Sequence, residues 1–432
     1  MAKDAEKLLN KAEKLYKAMQ YKRAAKVFSS AADLSLKLKK YELARDCYVK
    51  AAKCSINEQK YSFTLDFLRN AGNMSILINN FLEAQNFFRE GLNYISNLRT
   101  LSDRNYNFIL FSTLSFLCLF VKGKQEEGLK LVKKYRSNVE DDFFKESQLI
   151  RLITNLTLSI KNKNESYLEK ILTNFESYRF HESEINLLKQ ALVIAKVNTS
   201  LKINLKFDKD VYTTNDIIHL IMEIDSKPLL EISNDPFFNY KIRELKISKI
   251  SITLSDNFTS YKKPEFPISI NVGDSHITEF MFKPHFQTER PFIGPMVLTS
   301  EINGNLNFYY EFSEVLEPVL ISPPPSLTIS LKNLKPPLIG TTFPLEILIE
   351  NKSEGEAIDL KTHIEFPENL KLMRGTLEKQ IYSLKPNENI RWEINVKPTE
   401  AGDYIIKIIA QFSDPDKNLI TESKEFPVPI KL

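Results

Sequence analysis

Five histidines, His181, His219, His276, His285 and His363, are the first candidates for metal or acid–base chemistry, and their spacing argues against it. None stands at zinc-ligand separation from another His or from a Cys. Cys47 and Cys54 are seven residues apart, two helical turns, so they share one buried helix face and form no CxxC pair. With Cys118 they are the only cysteines, too few for a disulfide framework and consistent with a reducing compartment. Gly273-Asp274-Ser275-His276 places a nucleophile beside a base, but the run reads as a turn between strands. Asp414, Asp416 and Asn418, with Glu425 eleven residues after Asp414, have the acidic spacing of a calcium loop. Leu419 occupies the position that loop reserves for glycine, and Pro415 opposes its helical setting, so a hairpin turn is expected. Glycine is scarce, 11 in 432 residues, and neither a dinucleotide fingerprint nor a phosphate loop occurs. The residues predict no enzyme, no cofactor and no metal.

Basic side chains near the start are the better candidates, and binding is the chemistry they offer. Lys22, Arg23, Lys26, Lys37, Lys39, Lys40, Arg45, Lys50 and Lys53 belong to a stretch of 60 residues with 15 basic and 7 acidic groups. They suit a protein partner with a negatively charged surface, such as a coiled-coil bundle. Nucleic acid is not expected, because no recognition-helix motif and no basic strand interleaved with aromatics is present. Contact with an anionic membrane through these charges alone would be peripheral and weak.

The charges fall unevenly along the chain. Residues 1–200 hold 33 Lys+Arg and 22 Asp+Glu, whereas the remainder holds 26 and 33. A basic half therefore precedes an acidic one, which admits either a partner surface or docking between the halves. All 20 prolines lie at or beyond Pro228. Since proline breaks helix interiors, the two halves are of different structural kinds, with the change near residue 200. Leu110 to Val121 is the most apolar window. At 12 residues it is too short to cross a bilayer and is expected to be a buried helix. No secretory signal is visible after Met1, and a cytoplasmic location, with at most peripheral contact with membranes, is expected.

A repeat organises the first half. Tyr21, Tyr41, Tyr61 and Phe81 recur every 20 residues. Three positions later come Ala24, Ala44, Thr64 and Ala84; seven later, Phe28, Tyr48, Leu68 and Phe88; ten later, Ala31, Ala51, Ala71 and Gly91. Offsets of 0, 3, 7 and 10 share one helix face, with aromatic knobs alternating with small residues. Helices are predicted over 2–18, 21–37, 41–56, 60–77 and 81–97, then near 104–121, 124–136, 140–160, 164–179 and 182–198. Stacked pairs of this kind make a solenoid, whose extended faces hold other proteins.

The segments AEKLYKAMQYKRAAKVFSSAADLSLKLKKYELARDCYVKAAKC and FLRNAGN resemble the soluble NSF attachment protein (SNAP) family. Ala31-Ala32, Ala51-Ala52 and Ala71-Gly72-Asn73 stand where that family's helical hairpins carry AA and AGN. The resemblance is strongest over residues 1–97 and fades toward 198. It implies a right-handed α-solenoid that grips a SNARE-like helix bundle with basic residues and presents it to a AAA ATPase. Two departures bound it. Only Met19 and Gln20 separate the first two helices, where the family has a longer, membrane-touching insertion. The family's helical ATPase-binding end is replaced by β-type sequence.

After Asn198 the period changes from 3.6 to 2. Leu201-Ile203-Leu205-Phe207 and Ile217 to Ile224 read as strands, followed by others near 245–255, 266–271, 277–283, 295–302 and 305–312. Leu229 to Tyr240 reads as an insertion. Ser322-Pro323-Pro324-Pro325 reads as a stiff linker. Beyond it, Phe343–Asn351 and Ile358–Phe366 are strands, Ile390, Trp392, Ile394 and Val396 face inward, and Tyr404 suits a tyrosine corner. The expected organisation is a SNAP- or tetratricopeptide-like solenoid over 1–199, an immunoglobulin-like or arrestin-like sandwich over 200–321, a linker over 322–325 and an immunoglobulin-like sandwich over 326–432. Solenoid followed by sandwich also resembles subunits of tethering complexes such as TRAPP. The implied role is a non-enzymatic adaptor in intracellular membrane trafficking, with a coiled-coil bundle, a small GTPase or a AAA ATPase as partner. A generic scaffold of a signalling or cell-surface complex is the alternative.

Overall fold

The computed structural model describes residues 2–136, 139–285, 290–335 and 337–431. Eleven helices come first: α1 (Ala2–Lys17), α2 (Tyr21–Lys37), α3 (Tyr41–Asn57), α4 (Tyr61–Leu77), α5 (Phe81–Leu92), α6 (Leu101–Phe120), α7 (Gln125–Arg136), α8 (Asp141–Glu146), α9 (Gln148–Asn162), α10 (Ser166–Thr173) and α11 (Glu182–Ser200). The repeat positions behave as their spacing dictates. Ala24, Ala44, Thr64 and Ala84 are fully buried, and Phe28, Tyr48, Leu68 and Phe88 are the knobs packed among them. Small residues are obligatory where helices approach closely: a Cβ on Gly91 would lie 2.3 Å from the Phe111 ring. The helix predicted over 140–160 is instead two, because Ser147 adopts extended backbone between α8 and α9.

The 20-residue period also fixes the turns. Met19, Lys39, Gln59 and Asn79 each take positive φ, between 53° and 59°. In each case the next residue's N–H reaches back across the turn, as in Lys60 N to Ser55 O at 2.9 Å. This is a left-handed helix cap, which glycine favours and asparagine tolerates. Gln59→Gly is accordingly expected to stabilise the helical half by about 0.5–1 kcal/mol, and Asn79→Gly by less. Urea unfolding followed at 222 nm measures both.

Strands then build two sandwiches, one after the other along the chain. The first holds β1 (Lys202–Phe207), β2 (Val211–Thr213), β3 (Ile218–Asp225), a short helix α12 (Leu229–Asn234), β4 (Glu244–Leu254), β5 (Phe258–Lys262), β6 (Ile268–Asn271), β7 (Ser275–Pro284), β8 (Ile293–Ile302) and β9 (Leu306–Phe312). After β10 (Val319–Ile321), the second holds β11 (Leu327–Asn333), β12 (Phe343–Asn351), β13 (Ala357–Glu365), β14 (Leu370–Arg374), β15 (Glu378–Leu384), β16 (Asn389–Pro398), β17 (Gly402–Ser413) and β18 (Leu419–Ile430). The sheets run β1-β3-β7-β5 against β6-β4-β8-β9, and β11-β12-β16-β14 against β15-β13-β17-β18. The architecture is therefore a helical half followed by two antiparallel β-sandwiches.

The sandwiches share one connectivity, strand for strand. β5 pairs β7 through Phe258–Pro284, Thr259–Lys283 and Ser260–Phe282, then bulges before Lys262. β14 pairs β16 through Leu370–Pro398, Lys371–Lys397 and Leu372–Val396, then bulges before Arg374. The corresponding sequences, NFTSYK with FKP and NLKLMR with VKP, carry the same pattern. Tyr404 makes the expected corner, its hydroxyl donating to Glu400 O at 3.0 Å.

One hydrophobic core runs from α4 through α11 into the first sandwich, from Leu65 to Leu320, while the second sandwich has its own core from Leu327 to Ile430. The change of element type near residue 200 is thus no break in packing. Tyr310 donates to Leu201 O at 3.2 Å, and Lys122 Nζ donates to Asn305 O at 3.1 Å. The predicted insertion at 229–240 supplies Phe237, stacked edge-on against Phe175 at 4.9 Å. Two small clusters centred on alanine hold α1 to α4 together.

Candidate functional site

An apolar groove with charged walls lies between α2 and α4, with a volume of about 460 Å³. Its floor is made of small residues, Ala25, Ser29 and Ser55, which leave room for an incoming side chain. Lys22 and Lys26, one turn apart on α2, line one wall; Lys60, Phe63 and Phe67 line the other, and Glu58 closes one end. Phe63 is 58% exposed, unusual for a phenylalanine in a packed repeat. The arrangement offers apolar burial flanked by ammonium groups.

The candidate basic residues separate into three groups. Lys22 and Lys26 meet in the groove, and neighbouring Arg23 turns to Gln20 Oε1 at 3.3 Å. Lys37, Lys39 and Lys40 sit exposed at the α2–α3 turn, and Lys53 is exposed on α3. Arg45 and Lys50 knit the other layer together. Arg45 binds Asp46 at 2.9 Å and Glu83 of α5 at 2.8 Å, while Lys50 pairs with Glu13 of α1 and lies 5.7 Å from the Phe28 ring. The nine basic residues therefore do not form one surface. Lys60, Phe63 and Phe67 were not singled out from sequence. A signal existed for Phe63: it stands two residues past the register aromatic, off the buried stripe, where the other units have Arg23, Leu43 and Glu83.

The α4 wall of the groove is anchored from behind. Arg69 donates from Nε and Nη2 to the two carboxylate oxygens of Glu184 on α11, both at 2.7 Å. Glu184 has no solvent exposure, and the Arg69 side chain retains 16%. Burial works against the Arg69 charge, but its bonds to Glu184 hold the guanidinium pKa above the ordinary arginine value. The Glu184 carboxylate also accepts from His181 N at 2.8 Å, and Asn73 contacts the His181 ring at 3.1 Å.

The other chemical candidates lie apart. His219 pairs with Glu279 at 2.6 Å, His363 with Glu378 at 3.3 Å, and His285 with Thr259 at 2.9 Å, each at a different place in the sandwiches. No three His, Cys, Asp or Glu side chains group to hold a metal among the described residues. Burial pushes the Cys47 and Cys54 thiols up to about 11 and raises the fully buried Cys118 well above the ordinary thiol value. Such thiols stay protonated at neutral pH and are poor nucleophiles. Gly273 takes φ +100° in the turn before β7, as the sequence suggested. Asp414 closes the β17–β18 hairpin by accepting from Asn418 N at 2.8 Å. No helix among the described residues is long and apolar enough to cross a membrane.

No family model matches the chain, and no curated protein matches it. Among solved structures it is similar to the CARDB domain of a Pyrococcus furiosus protein in complex with di-metal ions. That likeness covers 24% of this chain and 88% of that one, with 21% identity and a TM-score of 0.19. Red sea bream transglutaminase is similar over 59% of this chain, with 11% identity and a TM-score of 0.21; the chain spans 34% of that enzyme's length.

Proposed function

We propose that the chain is a non-enzymatic adaptor that holds a protein partner in the groove between α2 and α4. The observation that carries this reading is the groove itself: an exposed Phe63 and a floor of small residues bounded by Lys22, Lys26 and Lys60. Such a surface favours an acidic amphipathic segment, because apolar contacts supply the affinity and the lysines steer encounter and register. The SNAP-like repeat sequence supports an intracellular membrane-trafficking role, with a coiled-coil or SNARE-like bundle as the partner in question.

Placing a photo-crosslinker at Phe63 and recovering adducts from the native cell identifies the partner, whose affinity is then measured with the purified chain. Phe63→Ala is expected to weaken binding by roughly 10- to 100-fold, as truncation of a central aromatic anchor does. Lys22→Glu with Lys26→Glu is expected to slow association and to flatten or reverse the loss of affinity with salt. Full affinity in both variants would reject the groove as the binding face. Adducts confined to signalling or cell-surface proteins would instead favour the generic scaffold.

A further inference from the structure

The strand-for-strand equivalence of the sandwiches lets their ends be compared. In the first, the end carrying β2 is covered: β2 pairs in parallel with β10, and Asn215 donates to Glu354 of the second sandwich at 2.6 Å. In the second sandwich the same pairing recurs as a single parallel bridge between Leu338 and Lys431. There the neighbouring apolar side chains face outward, with Leu334 42%, Leu338 41% and Ile339 36% exposed. Their backbone is tied down on both sides. Ile339 N donates to Lys431 O at 3.0 Å, Gly340 N to Pro398 O at 3.1 Å, and Leu334 N to Pro344 O at 3.2 Å.

Lysines surround this tip. Lys332, opposite Glu346 in register, lies near the end of β11; Lys335 lies on the connection, Lys431 on one flank, and Lys371 and Lys397 on the other. None of the five makes an ion pair among the described residues. Lys371 and Lys397 are direct register partners across β14 and β16, an arrangement of like charges that costs stability. The equivalent pair in the first sandwich is Thr259 and Lys283. Glu368, Glu400 and Asp403 lie at the same end, and Glu400 accepts from Asn369 at 3.1 Å. Lysine remains in excess.

We propose that this end of the second sandwich is a peripheral contact for an anionic lipid bilayer, with the aliphatic side chains entering the headgroup region and the lysines facing phosphate. The exposed aliphatic side chains Leu334, Leu338 and Ile339 lie among these lysines at an outer end of the sandwich. A bilayer interface requires only protruding apolar groups and adjacent positive charge. Each lysine near an anionic surface contributes roughly fivefold to the partition constant. The site is independent of the groove between α2 and α4.

The test is flotation of the full chain with phosphatidylcholine vesicles, with and without phosphatidylserine. Flotation is expected only with phosphatidylserine and is expected to fall as salt rises. Lys371→Glu with Lys397→Glu should reduce partitioning by at least roughly 25-fold, the product of two lysine contributions. Leu338→Ser with Ile339→Ser should also abolish it, while Trp392 fluorescence, which reports this sandwich, confirms that both variants remain folded. The proposal is overturned by absence of flotation, by equal flotation on neutral vesicles, or by either folded variant floating normally. Crosslinking from position 338 to a protein instead of lipid overturns it equally.

Discussion

Glu184→Ala should cost the helical half and first sandwich about 3–5 kcal/mol, because it strands a largely buried guanidinium without its hydrogen-bonded counter-charge, leaving only Asp66, which acts on it through no hydrogen bond. Arg69 reaches Glu184 across 115 residues of sequence through two bonds of 2.7 Å. No other carboxylate bonds to it among the described residues, and its remaining contact is Arg179 O at 3.5 Å. The same substitution removes the acceptor of His181 N at the start of α11. A shape-preserving replacement of both partners, Arg69→Met with Glu184→Leu, should recover most of the loss, since an apolar pair leaves no buried charge. Ellipticity at 222 nm follows the helical body. Trp392 is the only tryptophan and lies in the second sandwich, whose core is separate. The expected result is a large fall in the ellipticity midpoint with the fluorescence transition unchanged. Equal losses in the single and double variants would show that packing around α11, and not the charge pair, is responsible.

That clasp was illegible in the sequence, and the reason is general. Local periodicity reveals which face of a helix is buried but not which distant helix covers it. The 20-residue register therefore located α1 to α4 within a residue or two, together with their buried alanines and aromatics. It could not show that α4 meets α11. Strand reading failed for a different reason. In β5 and β14 only the first residue, Phe258 or Leu370, is buried, so no alternation exists to detect. Pro427 and Pro429 disguise β18, where an edge strand tolerates them. Within the candidate site, charge counting found Lys22 and Lys26 but also Arg45 and Lys50, which serve internal ion pairs. Composition does not distinguish a lysine that meets solvent from one that meets Glu13.

The opposite charges of the two halves also have a different meaning from docking by ion pairs. Lys122 reaches the first sandwich at a backbone carbonyl, Lys163 lies 3.7 Å from the Tyr310 ring centroid, and Lys189 lies 4.9 Å from that of Phe237. The lysines of the interface thus engage carbonyl and aromatic groups, contacts that place long apolar stems along the shared core while satisfying the ammonium. The bulk of the charge excess remains on outer surfaces. There it is available to the partners proposed for the groove and for the distal tip.

Gly355→Ala should destabilise the second sandwich by about 2–4 kcal/mol, a large effect for one methyl group. A Cβ at this position would lie 2.0 Å from Pro323 O, 2.6 Å from Pro325 N and 2.7 Å from Pro324 C. All three are backbone atoms of a triproline segment, which has little freedom to give way. The segment is also pinned: Ser322 N donates to Asp416 Oδ2 at 3.0 Å, and Ser326 N to Ser353 Oγ at 2.9 Å. Gly355 cannot retreat in the other direction, because its carbonyl accepts from the buried Asn351 Nδ2 at 2.7 Å. The stiff linker read from the sequence is therefore also a strap across the top of the second sandwich, held by Asp416 and Ser353 and packed on Gly355. Trp392 fluorescence should show a melting temperature lower by more than about 8 °C for a domain of this size, with ellipticity at 222 nm unmoved. Small-angle scattering of the full chain at lower temperature should show a broader distance distribution as the strap lifts. If Gly355→Ala left both the melting and the scattering unchanged, the strap would have to be loose, and the two sandwiches would be joined only by the β2–β10 pairing and the Asn215–Glu354 bond.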